Sequence, residues 1–151
     1  MQIILLTKIL LIIAAFTASA QNTNMKTMSL DLSKFKWKNR VILCYPRNLD
    51  AWSQQQKLIE RQRIQIEDRD LIIIRLDKQQ EDVPNKLRFT KAQRLALIKA
   101  YRLTPGSSLL IGKDGKAKSK QSGKLRLRPL FELIDQMPMR RAEIQSDKAD
   151  E

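Results

Sequence analysis

Three groups of side chains in this sequence are of types that could do chemistry: one thiol at Cys44, the carboxylates Glu67, Asp68 and Asp70, and seven cations between Lys113 and Arg128. A thiol acts as a nucleophile or redox centre only as the thiolate, which needs exposure and a cationic setting. Cys44 lies three residues before Arg47, so a monothiol oxidoreductase or peroxidase using Cys44 is one reading. The preferred reading places Cys44 inside the apolar run Val41 to Tyr45, where a free cysteine behaves as a small buried side chain. No other nucleophilic constellation is available. The chain has no histidine and four glycines, which removes Ser-His-Asp triads, Cys-His pairs, histidine metal sites and glycine-rich phosphate cradles.

The carboxylates fall at the end of a predicted helix, where successive side chains face different ways. A solvated turn is expected there rather than an acid/base pair. Asp77, Glu81 and Asp82 lack the ligand spacing and glycine turn of a calcium loop. Neither a metal nor a cofactor is expected.

The cations are Lys113, Lys116, Lys118, Lys120, Lys124, Arg126 and Arg128, set against Asp114 in a chain of formal net charge +13. Such a segment could hold an anionic envelope lipid or polysaccharide, or an envelope protein. It could equally protect a sheet edge, because edge lysines discourage unwanted strand pairing. Lys113 to Arg128 contains no aromatic residue to stack a base, so nucleic acid is not expected.

The elements that must position these groups begin after a leader. Residues 1–20 combine Lys8, an apolar run from Ile9 to Phe16 and the small-residue pattern Ala18-Ser19-Ala20 before Gln21. This reads as a signal peptide cleaved between Ala20 and Gln21, with no transmembrane segment left in the mature chain. The implied location is periplasmic or extracellular. Residues 21–29 form a polar leader, 30–142 the folded domain, and 143–151 a tail with too little apolar content to pack, hence expected to be disordered. Export favours disulfides, but a single cysteine cannot form one internally, so stability must come from the core.

Within the domain, Val41 to Tyr45 reads as a buried strand ended by Pro46. Asn48 or Asp50 caps a helix to about Glu67, with a thin stripe of Leu49, Trp52, Ile59 and Ile66. Leu71 to Ile74 is apolar at every position, as in a strand covered on both faces, and is expected parallel to the first. Thr90 with Gln93 forms a capping box for a helix from Lys91 to about Arg102, packed through Leu95, Ile98 and Tyr101. A hairpin turning at Asp114-Gly115 follows. The last helix opens at Pro129, packs through Leu130, Leu133, Ile134 and Met137, and is ended or kinked by Pro138. Trp37 and Trp52 are expected as core or core-edge anchors.

The predicted fold is α/β and thioredoxin-like: strand-helix-strand-helix-hairpin-helix with a mixed four-stranded sheet. The blocks WKNRVIL, LLIGKDGK and FELIDQMPMRR, spread over roughly residues 30 to 142, resemble the domain of unknown function 4174 family. That resemblance implies a fold similar to thioredoxin and peroxiredoxin domains and occurrence in exported proteins, and it implies no established reaction. A thioredoxin would carry Cys-x-x-Cys after the first strand, where this chain has Pro46-Arg47-Asn48-Leu49. Its active-site proline would stand near Ser107, whereas the proline here is Pro105. A peroxiredoxin would place its cysteine after a proline, and Cys44 precedes Pro46. The expected function is that of a non-enzymatic binding or scaffolding module.

Overall fold

A computed structural model describes residues 32–78 and 89–149. The expected signal segment with Ala18, Ala20 and Gln21, the polar leader, Glu81 and Asp82 lie outside the described residues. In chain order the elements are β1 (Arg40–Tyr45), α1 (Leu49–Arg61), α2 (Arg63–Glu67), β2 (Leu71–Arg75), α3 (Lys91–Ala100), β3 (Ser107–Ile111), β4 (Ala117–Ser122), α4 (Leu127–Asp135) and α5 (Pro138–Ala149).

The strands form one mixed sheet in the order β2-β1-β3-β4. β1 and β2 are parallel, with Arg40 opposite Leu71, while β3 runs antiparallel to both β1 and β4. Because alternate side chains leave a strand on opposite faces, β1 divides its residues between two apolar layers. Val41 and Leu43 join Ile72, Ile74, Leu109 and Ile111 beneath Leu97 of α3. Ile42 and Cys44 join Ile73 and Leu110 beneath Trp52, Ile66, Leu130, Phe131 and Ile134. Helices cover both faces, which is why β1, β2 and β3 are buried without alternation.

Local chemistry explains where the helices begin. The Asn48 side chain accepts from Ala51 N–H to cap α1. Thr90 and Gln93 form the capping box that starts α3. The first long helix is not continuous to Glu67: it breaks at Gln62, and α2 is a separate short turn. α4 begins at Leu127 rather than Pro129, and Pro138 is the first residue of α5, where its missing N–H costs nothing. Leu49 and Leu95 are exposed instead of packed, because Trp52 and Leu97 turn into the core on their helices. Trp37 is also exposed, held at φ 66° by a backbone bond to Lys113 O, with Lys36 over its ring.

Two further expectations are corrected. The hairpin does not turn on two residues of positive φ, since only Gly115 is left-handed and its N–H bonds to Gly112 O within a longer loop. The chain beyond residue 142 is not a loose tail, for α5 is helical to Ala149. Its hold on the domain is ionic: the Glu143 carboxylate accepts two hydrogen bonds from Arg40, each 3.1 Å, and one from Lys113 at 2.7 Å. None of the described helices is long and apolar enough to cross a membrane.

Candidate functional site

Cys44 sits mid-strand between Leu43 and Tyr45, 1% exposed and walled by the second apolar layer. Burial in that dry setting pushes its thiol pKa up to about 12, so the group stays protonated at any physiological pH. Attack on a peroxide or a disulfide needs an exposed thiolate, and Cys44 in this setting is neutral and enclosed.

The two ends of the sheet carry the polar chemistry. At the end where β1 starts, the cations Arg40, Arg69, Lys113 and Arg140 meet Asp68, Asp70, Asp135 and Glu143. Lys113 Nζ lies 2.7 Å from both Asp70 and Glu143. Arg69 clasps Asp135 through two nitrogens, and Arg140 pairs with Asp68. Burial acts to raise the Glu143 pKa, but the hydrogen bonds and charges of Arg40 and Lys113 outweigh it and hold the carboxyl below its ordinary value. Asp68 and Asp70 are therefore occupied by cations, and Glu67 pairs on the surface with Arg63. They do not form an acid/base pair.

At the opposite end, where β1 stops and α1 starts, a recess of about 210 Å³ is lined by Arg47, Asn48, Ala51, Gln55, Gly106 and Lys124, among others. This is the position at which a thioredoxin would hold its dithiol. Gly106 and Gly123 adopt φ of +86° and +87°, and Gly123 N–H donates to Gly106 O at 2.7 Å. A side chain at Gly106 would meet the Arg47 guanidinium at 3.3 Å, so the glycine is what lets Arg47 lie across the turn. Gln55, 7% exposed, also lines this recess, and its Oε1 is enclosed with no hydrogen-bond partner among the described residues.

The cations expected to bind anions are dispersed by the fold. Lys113 is 9% exposed inside the ion-pair network and is not on the hairpin surface. Lys118 pairs with Asp114 at 2.8 Å, and that hydrogen bond is the main cause holding the Asp114 carboxyl below its usual range. Arg128 pairs with Glu132 on α4. Lys120 donates to Arg102 O, a carbonyl at the end of α3, so its charge is not neutralised. Lys116, Lys120, Lys124 and Arg126 are exposed and face no carboxylate within 4 Å among the described residues. β4 is the sheet edge; Lys120 lies within it, Lys116 just before it, and Lys124 and Arg126 after it.

Sequence reasoning missed Arg47, Asn48 and Gln55 as neighbours of Lys124. One signal was present: Asn48, Ala51 and Gln55 share the i, i+3, i+7 face of a helix, where a glutamine interrupts the side that should be apolar. Among the described residues there is no group of three or more metal-ligating side chains.

The profile of the domain of unknown function DUF4174 matches residues 31–143, three-quarters of the sequence. The chain belongs to the DUF4174 family. Among solved structures, this DUF4174 domain is similar to the reduced 2-Cys peroxiredoxin of Plasmodium vivax, with 11% identity over 78% of this chain and 84% of that one, at a TM-score of 0.51. The mitochondrial 2-Cys peroxiredoxin of Plasmodium falciparum aligns with 13% identity over 80% and 84%, at a TM-score of 0.49. Identity this low shows the fold alone, and that fold is thioredoxin-like. No curated protein matches the DUF4174 chain.

Proposed function

We propose that this DUF4174 domain is an exported, non-redox binding module that engages an anionic surface of the cell envelope. The observation that carries the reading is how charge is divided. The buried cations Arg40, Lys113 and Arg140 are paired with carboxylates, whereas Lys116, Lys120, Lys124 and Arg126, exposed in and around the edge strand β4, have no carboxylate within 4 Å among the described residues. Unneutralised like charges repel one another and do not stabilise a fold, so a row of them is best accounted for by a partner of opposite sign. Lys34, Lys36 and Lys38 around the exposed Trp37 continue the cationic surface, since Lys36 lies against Gly115 of the β3–β4 loop. The enclosed Cys44 thiol argues against the monothiol enzyme.

Binding to anionic vesicles and to a sulfated polysaccharide is measured across a salt series, for wild type and for a variant with Lys116, Lys120, Lys124 and Arg126 changed to Glu. Wild type is expected to bind at 0.05 M salt and release near 1 M, where the Debye length shrinks to about 3 Å, and the variant is expected not to bind. Equal behaviour of the two proteins, or no binding at low salt, overturns the proposal. Disulfide reductase or peroxidase turnover that is lost in Cys44→Ala overturns its non-redox half.

A further inference from the structure

We infer that the end of the sheet where β1 starts docks on an anionic lipid bilayer, with the Trp37 ring entering the headgroup layer. This rests on the reading that the domain meets an anionic surface, and it names both that surface and the residue that enters it.

The observation that carries it is a large aromatic ring displayed in water by a segment that is itself fixed. Phe35 is buried in the first apolar layer, the N–H groups of Lys38 and Asn39 both donate to Phe35 O, and Trp37 N–H donates to Lys113 O at 2.7 Å. These bonds hold Trp37 at φ 66°, a conformation that bulky residues seldom adopt, and leave it 61% exposed. Strain of this kind persists only where the surroundings impose it, and it collects at sites of function. The ring itself belongs to neither apolar layer.

One exposed tryptophan means little alone, but this one has cations and further apolar surface around it. Lys34, Lys36 and Lys38 alternate with Phe35 and Trp37, are exposed, and face no carboxylate within 4 Å among the described residues. Lys36 Nζ stands 5.4 Å from the Trp37 ring centroid, and the Lys36 stem lies against Gly115, whose neighbour is the exposed Lys116. In the same β3–β4 loop, Gly112 and Lys113 line a hollow of about 300 Å³ with Met137, Pro138 and the exposed Met139. The ion-pair network at this end matches Arg40, Arg69, Lys113 and Arg140 with Asp68, Asp70, Asp135 and Glu143, and Asp114 is taken by Lys118. The charge left over is therefore that of the lysines beside Trp37.

A ring with an apolar body and a polar N–H, set among lysines, has the chemistry of a bilayer interface. The ring sits at headgroup depth, while the ammonium groups reach lipid phosphates and their stems lie along apolar surface. A protein partner fits less well, because the cores of protein interfaces are depleted in lysine. A polysaccharide needs groups that bond its hydroxyls, whereas here Asp70, Asp114 and Glu143 are held by cations and the Asn39 amide N–H by Asp70 O.

The test uses Trp37 as its own reporter, since Trp52 is 6% exposed and shielded in the folded protein. The protein is mixed with phosphatidylcholine vesicles with and without phosphatidylglycerol, and with dextran sulfate. With phosphatidylglycerol present, the emission should shift to the blue and be quenched by acyl-brominated lipid; phosphatidylcholine alone and dextran sulfate should do neither. Quenching in the wild type is read without any variant. Trp37→Gly should weaken binding to the anionic vesicles by about tenfold or more, as expected for losing the burial of one large apolar side chain. It should leave dextran sulfate binding unchanged and hold or raise the melting temperature, because glycine adopts φ 66° without strain. A structural tryptophan would instead lower the melting temperature and leave vesicle binding unchanged, which overturns the inference. Vesicle binding with no blue shift or quenching, or equal affinity in Trp37→Gly, overturns it as well and leaves the anionic surface standing. Binding to dextran sulfate alone, or its loss in Trp37→Gly, assigns the surface to a polysaccharide and overturns the lipid. No binding to either anion at low salt overturns the broader reading with it.

Discussion

The two ends of the sheet use the same residue types to opposite effect. Where β1 begins, Arg40 and Lys113 are drawn out of water and matched by Glu143 and Asp70, so their charge is consumed in holding α5 to the sheet. Where β1 ends, Arg47 and Lys124 flank a hollow and face no carboxylate within 4 Å among the described residues. Cations locked to carboxylates are architecture. Cations left without a carboxylate are not consumed in that way. A formal charge of +13 therefore says little until it is divided between these two ends and the β4 edge.

The comparison breaks most sharply at Glu143. Changing Glu143→Ala removes the one carboxylate paired with Arg40 among the described residues, and Arg40 is 1% exposed, while Lys113 keeps Asp70. Leaving buried charges unpaired is strongly destabilising, so a loss of about 3 kcal/mol is expected in urea unfolding. Removing residues 144–149 should cost far less, because most of their side chains are exposed. If Glu143→Ala unfolds at the wild-type midpoint, the network is decoration and the contrast between the two ends fails.

Acid probes the same contact without mutation. The folded-state Glu143 pKa is depressed, so its stabilisation is fully present above the ordinary glutamate value of about 4.3 and is lost as pH falls from there through the folded value. Stability measured from pH 6 downward should decline in that window, and Glu143→Gln should flatten part of the decline. The same slope in both proteins would place the acid sensitivity elsewhere.

A smaller effect is expected at Cys44. The Cys44→Ala change opens a small cavity between Trp52 and the sheet face, costing about 1 kcal/mol. An alkylating probe should label the native thiol only as the sheet opens, so labelling should accelerate with urea. Rapid native labelling would return the thiol to the candidate enzymes.

These contrasts were unevenly legible in the sequence. The core strands announced themselves because Leu71 to Ile74 and Val41 to Leu43 are apolar without alternation, and Thr90 with Gln93 marked a helix start whose bonds are local. Contacts of that kind span a few residues. Arg40 and Glu143 are 103 residues apart, and nothing in the local composition of either segment specifies the other. For the same reason Lys113 read as one more hairpin cation and α5 as a polar tail: a helix held by charge carries no apolar stripe for periodicity to detect. The recess was half visible. The absence of a dithiol at Arg47-Asn48 was plain, but Gln55 looked like any helix-surface glutamine until α1 was laid on the sheet.

The smallest effect tests whether the edge cations belong to architecture at all. Lys116 and Arg126 are exposed and make no side-chain bond to a carboxylate among the described residues. Replacing both with Gln removes only the attraction of Lys116 for the nearby Asp114 and relieves a larger part of the repulsion within a cationic chain. Surface substitutions of this kind stay within about 0.5 kcal/mol. The sign is the informative part: stability should rise slightly at low salt, because like charges that repel in the folded state have been removed, and the gain should vanish near 1 M as the Debye length falls to about 3 Å. Urea unfolding of both proteins at 0.02 M and 1 M salt reads this directly. A loss of stability at low salt would mean that these cations hold the fold together, as Lys113 does, and would remove the basis for assigning the β4 edge to a partner.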